Sequence, residues 1–259
     1  MYAQQTRKAK SRQQISSVPP RKKKNNLELM LLSVLQKSHD GEKDFFPKGV
    51  ISTIITEKCV RKELTWHLED THDAAEMASF AKAICEETEF QDKSGKMRVK
   101  CFRKIFVILV LINKTPAIVK FLKKDVSDAD LPLKKVERLN EKGVYDLRLS
   151  RDPTKRLKCF SKKWGQLCIW NFEQYQWKTL SPFFGKGGYK DVKHYLLQDQ
   201  VILPFIAVDR GEGGRVHRAP EFNGGYGKVI EVDLHHEHHN FEALNPKVRW
   251  PPLSTLRPN

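Results

Sequence analysis

The stretch K-C-F-R-K-I-F-V-I-L-V-L-I, residues 100–112, decides the fold, because its last eight residues form the longest apolar run of the chain. Over so short a run, periodicity does not separate a buried helix from a buried strand, and valine and isoleucine favour a strand. The segments before it are predicted to be helical, and this context favours a buried helix. A bilayer-spanning helix takes roughly 20 apolar residues, so we expect no membrane-spanning segment.

Three helices are predicted before this run and one after it. Residues 27–36 carry apolar side chains on most sides, which predicts a short buried helix. The three- and four-residue spacing of apolar residues over 51–64 indicates an amphipathic helix. Asp73 is the expected N-cap of a third helix, residues 74–87. A threonine and a proline are expected to open the fourth, within residues 115–124.

The remaining segments predict irregular structure and a few strands. Residues 91–95 predict a polar turn, and residues 125–165 predict a charged, loop-like region. The aromatic residues between 168 and 177 indicate a packing cluster, with a stacking platform for nucleic-acid bases as the sharper alternative. Residues 201–206 are expected to be extended, and the alternation over 228–234 predicts a strand.

Charge is distributed unevenly over the 259 residues, whose formal net charge is +16. Eight basic residues and no acid lie in residues 1–26. Such a segment buries too little surface to offset its ordering entropy, so a disordered basic tail is predicted, either solvated or binding an import receptor or a polyanion. Residues 93–124 hold ten lysines or arginines and no acid. We interpret them as a solvated helix face in preference to a phosphate-binding surface, so nucleic acid is the less favoured partner.

Cysteine usage indicates the compartment. The five cysteines are an odd number without a C-x-x-C pair, which excludes a disulfide framework and makes a cysteine zinc site unexpected. The N-terminal residues lack the apolar core of a secretory signal. We therefore expect an intracellular protein, nuclear or cytoplasmic.

The most informative functional segment is N-G-G-Y-G-K-V, residues 223–229, between an extended segment and an alternating one. Dinucleotide-binding and Walker-type loops both require a helix after their glycines, so this strand–turn–strand pattern excludes them. It fits the glycine-rich hairpin of protein kinases, G-x-G-x-x-G-x-V. Gly224 and Gly227 take the second and third glycine places and Val229 the valine place, whereas Phe222 replaces the first glycine. A glycine-containing hairpin without a ligand is the alternative.

Several stretches beside this hairpin resemble a family of fungal protein-kinase-domain proteins, in which a helical region precedes the kinase lobe. The resemblance covers residues 27 to 241, and the glycine turn with the histidine-rich segment after it is its most specific part. The stretches that carry it are residues 45–64, 102–114, 172–184, 201–209 and 222–241.

The resemblance implies ATP with magnesium as the cofactor, bound by Gly224, Gly225, Tyr226, Gly227 and Val229. The aromatic residue would cap the phosphates and the valine would pack on the adenine. A kinase also needs a lysine on its third strand, a paired glutamate, an H-R-D loop and a D-F-G magnesium site. The sequence contains no H-R-D, no D-F-G and no such lysine segment. We therefore assign no catalytic residue, and expect weak or absent ATP binding and no phosphate transfer.

The predicted fold is mainly α, and α+β overall, with an incomplete kinase-like β-hairpin after a helical domain. The predicted segments are a disordered tail (1–26), a helical domain (27–200), the start of a kinase N-lobe (201–241) and a proline-rich tail (242–259). The chain is interpreted as an inactive fragment or pseudokinase-like relic, truncated before the catalytic machinery. Two other functions stay open: a non-catalytic scaffold whose helical region binds a protein partner, and a basic nucleic-acid-binding protein.

Two weaker patterns favour ordinary structure. Residues 185–190, G-K-G-G-Y-K, imitate a glycine loop but lack its third glycine, which indicates a surface turn. His235, His236, His238 and His239 are ligand types for zinc, copper or nickel. They lack H-E-x-x-H spacing, so we predict no metal site.

Overall fold

The structure, a computed structural model, describes residues 26–92, 95–139, 141–160, 164–186, 194–207, 221–224, 227–230 and 232–241. The predicted tails, residues 1–26 and 242–259, lie outside this part of the chain except for Asn26. Helices and small sheets alternate in sequence, so the fold is α+β as predicted. None of the described helices is both long enough and apolar enough to cross a membrane.

The α-helices of the described residues are α1 (Asn26–Ser33), α2 (Val50–Ile54), α3 (Glu57–Leu68), α4 (Ala74–Cys85), α5 (Arg103–Leu111), α6 (Ile118–Lys124) and α7 (Gln166–Lys178). Short 3-10 helices lie at Thr115–Ala117, Asp128–Asp130 and His236–His238.

The strands pair antiparallel in small sheets: β1 with β2, β3 with β4, β5–β6–β7 in that order, β8 with β11, and β9 with β10. Their bounds are β1 Gln36–Lys37, β2 Asp44–Phe45, β3 Thr88–Gln91, β4 Met97–Lys100, β5 Lys134–Arg138, β6 Glu141–Leu149, β7 Asp152–Arg156, β8 Phe205–Ile206, β9 Glu221–Gly224, β10 Gly227–Ile230 and β11 Asp233–Leu234.

Helix α5 is the centre of the core, which confirms the helix predicted over the apolar run. All seven residues from Ile105 to Leu111 are buried, and α1, α2, α4, α6 and α7 each contact α5. Its first turn is anchored from a distance, because the Asp128 carboxylate accepts hydrogen bonds from the backbone N–H groups of Lys104 (2.8 Å) and Ile105 (2.9 Å). These two bonds tie the start of the helix to the segment after α6.

The helices before α5 differ from prediction in two places. Asp73 caps α4 as expected, in a capping box with Glu76. The prediction of a single helix over residues 51–64 is wrong, because α2 ends at Ile54 and α3 begins at Glu57. The Thr56 side chain accepts a hydrogen bond from the backbone N–H of Cys59 and so caps the start of α3. Helix α1 is buried on one side only, because three of its apolar residues are exposed. These are Leu29, Met30 and Leu32.

The prediction of a loop-like region over residues 125–165 is wrong, because these residues include the three-stranded sheet β5–β6–β7. Its charged residues compensate one another around the buried Asp146. A carboxylate oxygen of Asp146 lies 3.0 Å from Arg138 and 3.5 Å from Arg156, and the other lies 3.9 Å from Arg148. The polar turn at 91–95 is likewise flanked by strands, β3 and β4, so the predicted helical domain is mixed in structure.

Candidate functional site

The glycine segment forms a β-hairpin, as the sequence predicts. Strands β9 and β10 pair antiparallel with Gly224 opposite Gly227 and Phe222 opposite Val229. The connection is therefore two residues long, the length typical of the tightest hairpins. Of the five predicted nucleotide-binding residues, Gly224, Gly227 and Val229 lie in these strands, whereas Gly225 and Tyr226 lie outside the described residues.

The strand predicted over 228–234 is broken into β10 and β11, and β11 pairs with a different strand. Asp233 lies opposite Ile206 and Leu234 opposite Phe205, so β11 pairs with β8. Within the extended segment predicted at 201–206, only Phe205 and Ile206 form a strand. The two chain segments that lead into and out of the hairpin stretch therefore meet side by side.

The histidine segment after β11 packs onto the N-terminal half of the chain. His238 is 2% exposed, and its Nε2 accepts the backbone N–H of Lys48 at 3.0 Å. With that acceptor role fixed, Nδ1 carries the proton and donates to the Pro182 carbonyl at 2.9 Å. Burial lowers the pKa of His238, which agrees with a neutral ring held in one tautomer.

The other histidines are also used in local packing. The Phe45 ring meets the rings of His235 and His238 edge-on, with centroids 5.8 Å and 5.4 Å away. Burial lowers the pKa of His235, and Nδ1 of His239 accepts the backbone N–H of Phe241. Among the residues that the structure describes, no three His, Cys, Asp or Glu side chains are grouped to hold a metal ion.

A half-open cavity of about 510 Å³ lies along α7, between the β1–β2 hairpin and residues 199–202. Its volume is within the range of small-ligand sites. Its lining mixes aromatic, amide and charged side chains. They are Glu42, Lys43, Asp44, Trp170, Asn171, Gln174, Tyr175, Trp177, Lys178, Asp199, Gln200 and Ile202.

The aromatic cluster predicted between residues 168 and 177 is divided between the core and this cavity. Phe172 is fully buried and stacks on Phe121, with ring centroids 5.9 Å apart. The Trp177 indole is buried and donates to Glu173 at 2.8 Å. Trp170 is 50% exposed at the cavity. The packing prediction is therefore confirmed for the inner face of α7 and wrong for Trp170.

Two ion pairs that share Asp44 lie at the wall of the cavity beside β2. The Asp44 carboxylate binds the ammonium groups of Lys37 at 2.8 Å and Lys178 at 2.9 Å. Burial alone would raise the pKa of Asp44, but the hydrogen bonds from these two lysines outweigh it and lower the pKa. The ammonium of Lys178 also lies 5.4 Å from the Tyr175 ring centroid. Asp44 and Lys178 are functional candidates that local sequence patterns missed, since they are far apart in the chain.

The basic stretch at 93–124 is partly neutralised by acids from outside it. Arg98 binds Asp92 at 2.7 Å, and Lys100 binds Asp125 at 2.5 Å. Arg103 pairs with Glu87. These pairs reduce the positive charge of the stretch, but the prediction of a helix face is wrong for Arg98 and Lys100, because both lie in strand β4.

At the second glycine pattern, the backbone N–H of Gly185 donates to the Tyr195 hydroxyl at 2.9 Å, and that of Lys186 donates to Asn240 at 2.6 Å. The rest of this pattern, residues 187–190, lies outside the described residues.

Comparisons of the chain with protein-family models, with curated proteins and with solved structures found no match. The glycine hairpin and the cavity along α7 are therefore the features of the chain that bear on its function.

Proposed function

We propose that hairpin β9–β10 is the phosphate-covering part of an ATP site like that of protein kinases, in a chain that does not itself transfer phosphate. The observation that carries the proposal is the register, in which Gly224 and Gly227 face each other across a two-residue connection. Gly224, Gly225 and Gly227 have no Cβ, so phosphate oxygens can come close to the backbone at three of the four positions around this turn. The kinase resemblance of the sequence is consistent with this role.

The hairpin residues offer groups that can bind the phosphates of ATP, whereas the sequence lacks the kinase motifs that bind magnesium. Gly224, Gly225, Tyr226 and Gly227 would present backbone to the phosphates, and Val229 would contact the adenine. Kinase-type magnesium binding takes an aspartate and an asparagine from two motifs that this sequence lacks. We therefore expect weak, largely magnesium-independent ATP binding and no phosphate transfer.

Binding of a fluorescent ATP analogue to the full chain tests this proposal, with and without magnesium. Gly227→Val should abolish saturable binding because its side chain occupies the phosphate approach. Gly165→Ala is the matched control, because an added Cβ there meets nothing within 4 Å. A dissociation constant of 1 mM corresponds to a binding free energy of about −4.1 kcal/mol. If no binding is detected even at about 10 mM nucleotide, that result overturns the proposal. Equal binding by Gly227→Val would do the same, and magnesium-dependent phosphate transfer would overturn the inactive assignment.

A second candidate is a protein-interaction surface, favoured by the outer face of α7. Leu167 is 69% exposed, and Trp170, one helical turn away, is 50% exposed and lines the cavity. Exposed aromatic residues at a cavity are common anchors of interfaces. A panel of basic, acidic and apolar peptides tests this function. Saturable binding that Trp170→Ala weakens would support it, and no binding of any peptide would overturn it.

A further inference from the structure

We propose that the cavity along α7 binds an arginine side chain of a peptide partner, stacked on Trp170 and paired with Glu42 and Asp199. This inference rests on the interaction function of α7 and is independent of nucleotide binding. It names a ligand chemistry other than the base stacking that the sequence offered for the aromatic residues of α7.

The cavity already holds one cation of its own in this manner. The Lys178 ammonium lies against the Tyr175 ring and binds the Asp44 carboxylate at 2.9 Å. An aromatic face combined with a carboxylate is the arrangement that stabilises ammonium and guanidinium groups. The lining therefore contains one complete example of the chemistry proposed for its ligand.

A second set of the same groups has no internal cation. The carboxylates of Glu42 and Asp199 line the cavity and form no ion pair or side-chain hydrogen bond with the residues that the structure describes. Trp170 lines the same cavity with half of its surface exposed. A guanidinium can stack on an indole and pair with a carboxylate at once, because it is planar and carries donors along its edge.

The charge balance of the lining agrees with a cationic ligand of small size. Lys37 and Lys178 compensate the Asp44 carboxylate, so among the charged lining residues only Lys43 is left to balance Glu42 and Asp199. These two carboxylates therefore provide a local negative excess within a chain whose net charge is +16. Surface charges farther away than about 8 Å are screened at physiological salt, so the local excess governs the contact. One guanidinium can pair with both of these carboxylates, so we infer a single arginine in an otherwise uncharged segment.

The amide side chains complete the case for a peptide. Asn171 and Gln200 line the cavity beside the charged groups, as does Gln174, whose amide nitrogen already donates to Glu173 at 2.5 Å. Side-chain amides can both donate to and accept from the backbone of an extended segment. A free amine or a metal ion would use the carboxylates but would leave the amides of Asn171 and Gln200 and the exposed Trp170 ring without a role.

Fluorescence anisotropy with the full chain and labelled, otherwise neutral heptapeptides tests the inference. The central residue is arginine, lysine, glutamate or citrulline, the uncharged isostere of arginine. We expect the arginine peptide to bind, and the citrulline and glutamate peptides to bind at least tenfold more weakly. Raising the salt from about 0.05 M to 0.5 M should weaken arginine binding several-fold, because the carboxylates are near the surface.

Matched variants locate the binding. Trp170→Ala and the pair Glu42→Gln with Asp199→Asn should each weaken arginine binding about tenfold. Trp66→Ala, which removes a tryptophan that is 60% exposed on α3, should leave it unchanged. Equal binding of citrulline, glutamate or lysine peptides would overturn the arginine assignment while the interaction surface stands. Binding that none of the cavity variants weakens would overturn the site, and no binding of any peptide would overturn both.

Discussion

Helix α5 and the C-terminal segment, residues 232–241, are both packed against the rest of the fold, but by different kinds of contact. The helix is held by seven consecutive buried apolar side chains. The C-terminal segment is held by directional bonds, above all the two ring-nitrogen bonds of His238 to Lys48 and Pro182. Apolar burial has no preferred direction and no proton to lose, whereas each ring bond depends on one atom and one protonation state. The two regions should therefore respond differently to substitution and to pH.

Removing side-chain volume from α5 gives the largest expected effect. Ile108 is fully buried, and Ile108→Ala should lower the free energy of unfolding by about 2–5 kcal/mol through lost burial and a residual cavity. Urea denaturation measures the loss. Val99→Ala, at an exposed strand position, is the control and should change stability by less than about 0.5 kcal/mol. Similar losses for both variants would contradict the central place of α5.

His238→Ala should open the C-terminal segment while α5 stays folded. The variant removes the acceptor of the Lys48 N–H and the donor to the Pro182 carbonyl, two part-buried hydrogen bonds worth about 0.5–1.5 kcal/mol each. Faster amide exchange confined to residues 37–48 and 232–241 is the expected signature. His236→Ala removes an exposed histidine of the same segment and should have little effect. Loss of protection in α5 as well would show that the two regions unfold together.

Acid should weaken the same segment before it affects the apolar core. Burial lowers the pKa of His235 and His238 in the folded chain, so the unfolded chain binds their protons more readily. Their contribution to stability is present above about pH 6.5, the ordinary histidine value, and is lost as the pH falls through the lowered values. Each group contributes at most about 1.4 kcal/mol per pH unit. Unfolding measured from pH 7.5 to 5.5 should show a smaller decline for His238→Ala than for the unsubstituted chain, and an equal decline would contradict this.

The smallest effect is expected at a polar contact that is local in sequence. Asp73→Ala removes the cap of α4 and should cost about 1 kcal/mol. Asp70→Ala, an exposed neighbour outside the capping box, is the control for the change of charge. Thermal unfolding of both variants measures the difference. A loss as large as that of His238→Ala would remove the distinction between local caps and long-range polar contacts.

The sequence predicts those parts of the fold whose signals are local. The apolar run of α5 and the Asp73 cap are examples, because neighbouring residues carry the whole pattern. The sheet β5–β6–β7 was missed since its strands are highly charged, and only folding shows that arginines from three strands surround Asp146. The glycine hairpin was predicted from its turn residues. The α7 cavity was not, because its walls come from three segments that lie far apart in the chain.

The pairing of β8 with β11 gives the hairpin stretch the connectivity of an insertion. Ile206 and Asp233 are direct neighbours across the ladder, so everything between them leaves and rejoins the host at one point. Segments with adjacent ends can be gained, exchanged or removed with little disturbance of the host. A two-residue Asn-Gly turn in place of residues 207–232 would convert β8 and β11 into an ordinary hairpin. The glycine segment and the α7 cavity could then be inherited, lost or engineered as separate units.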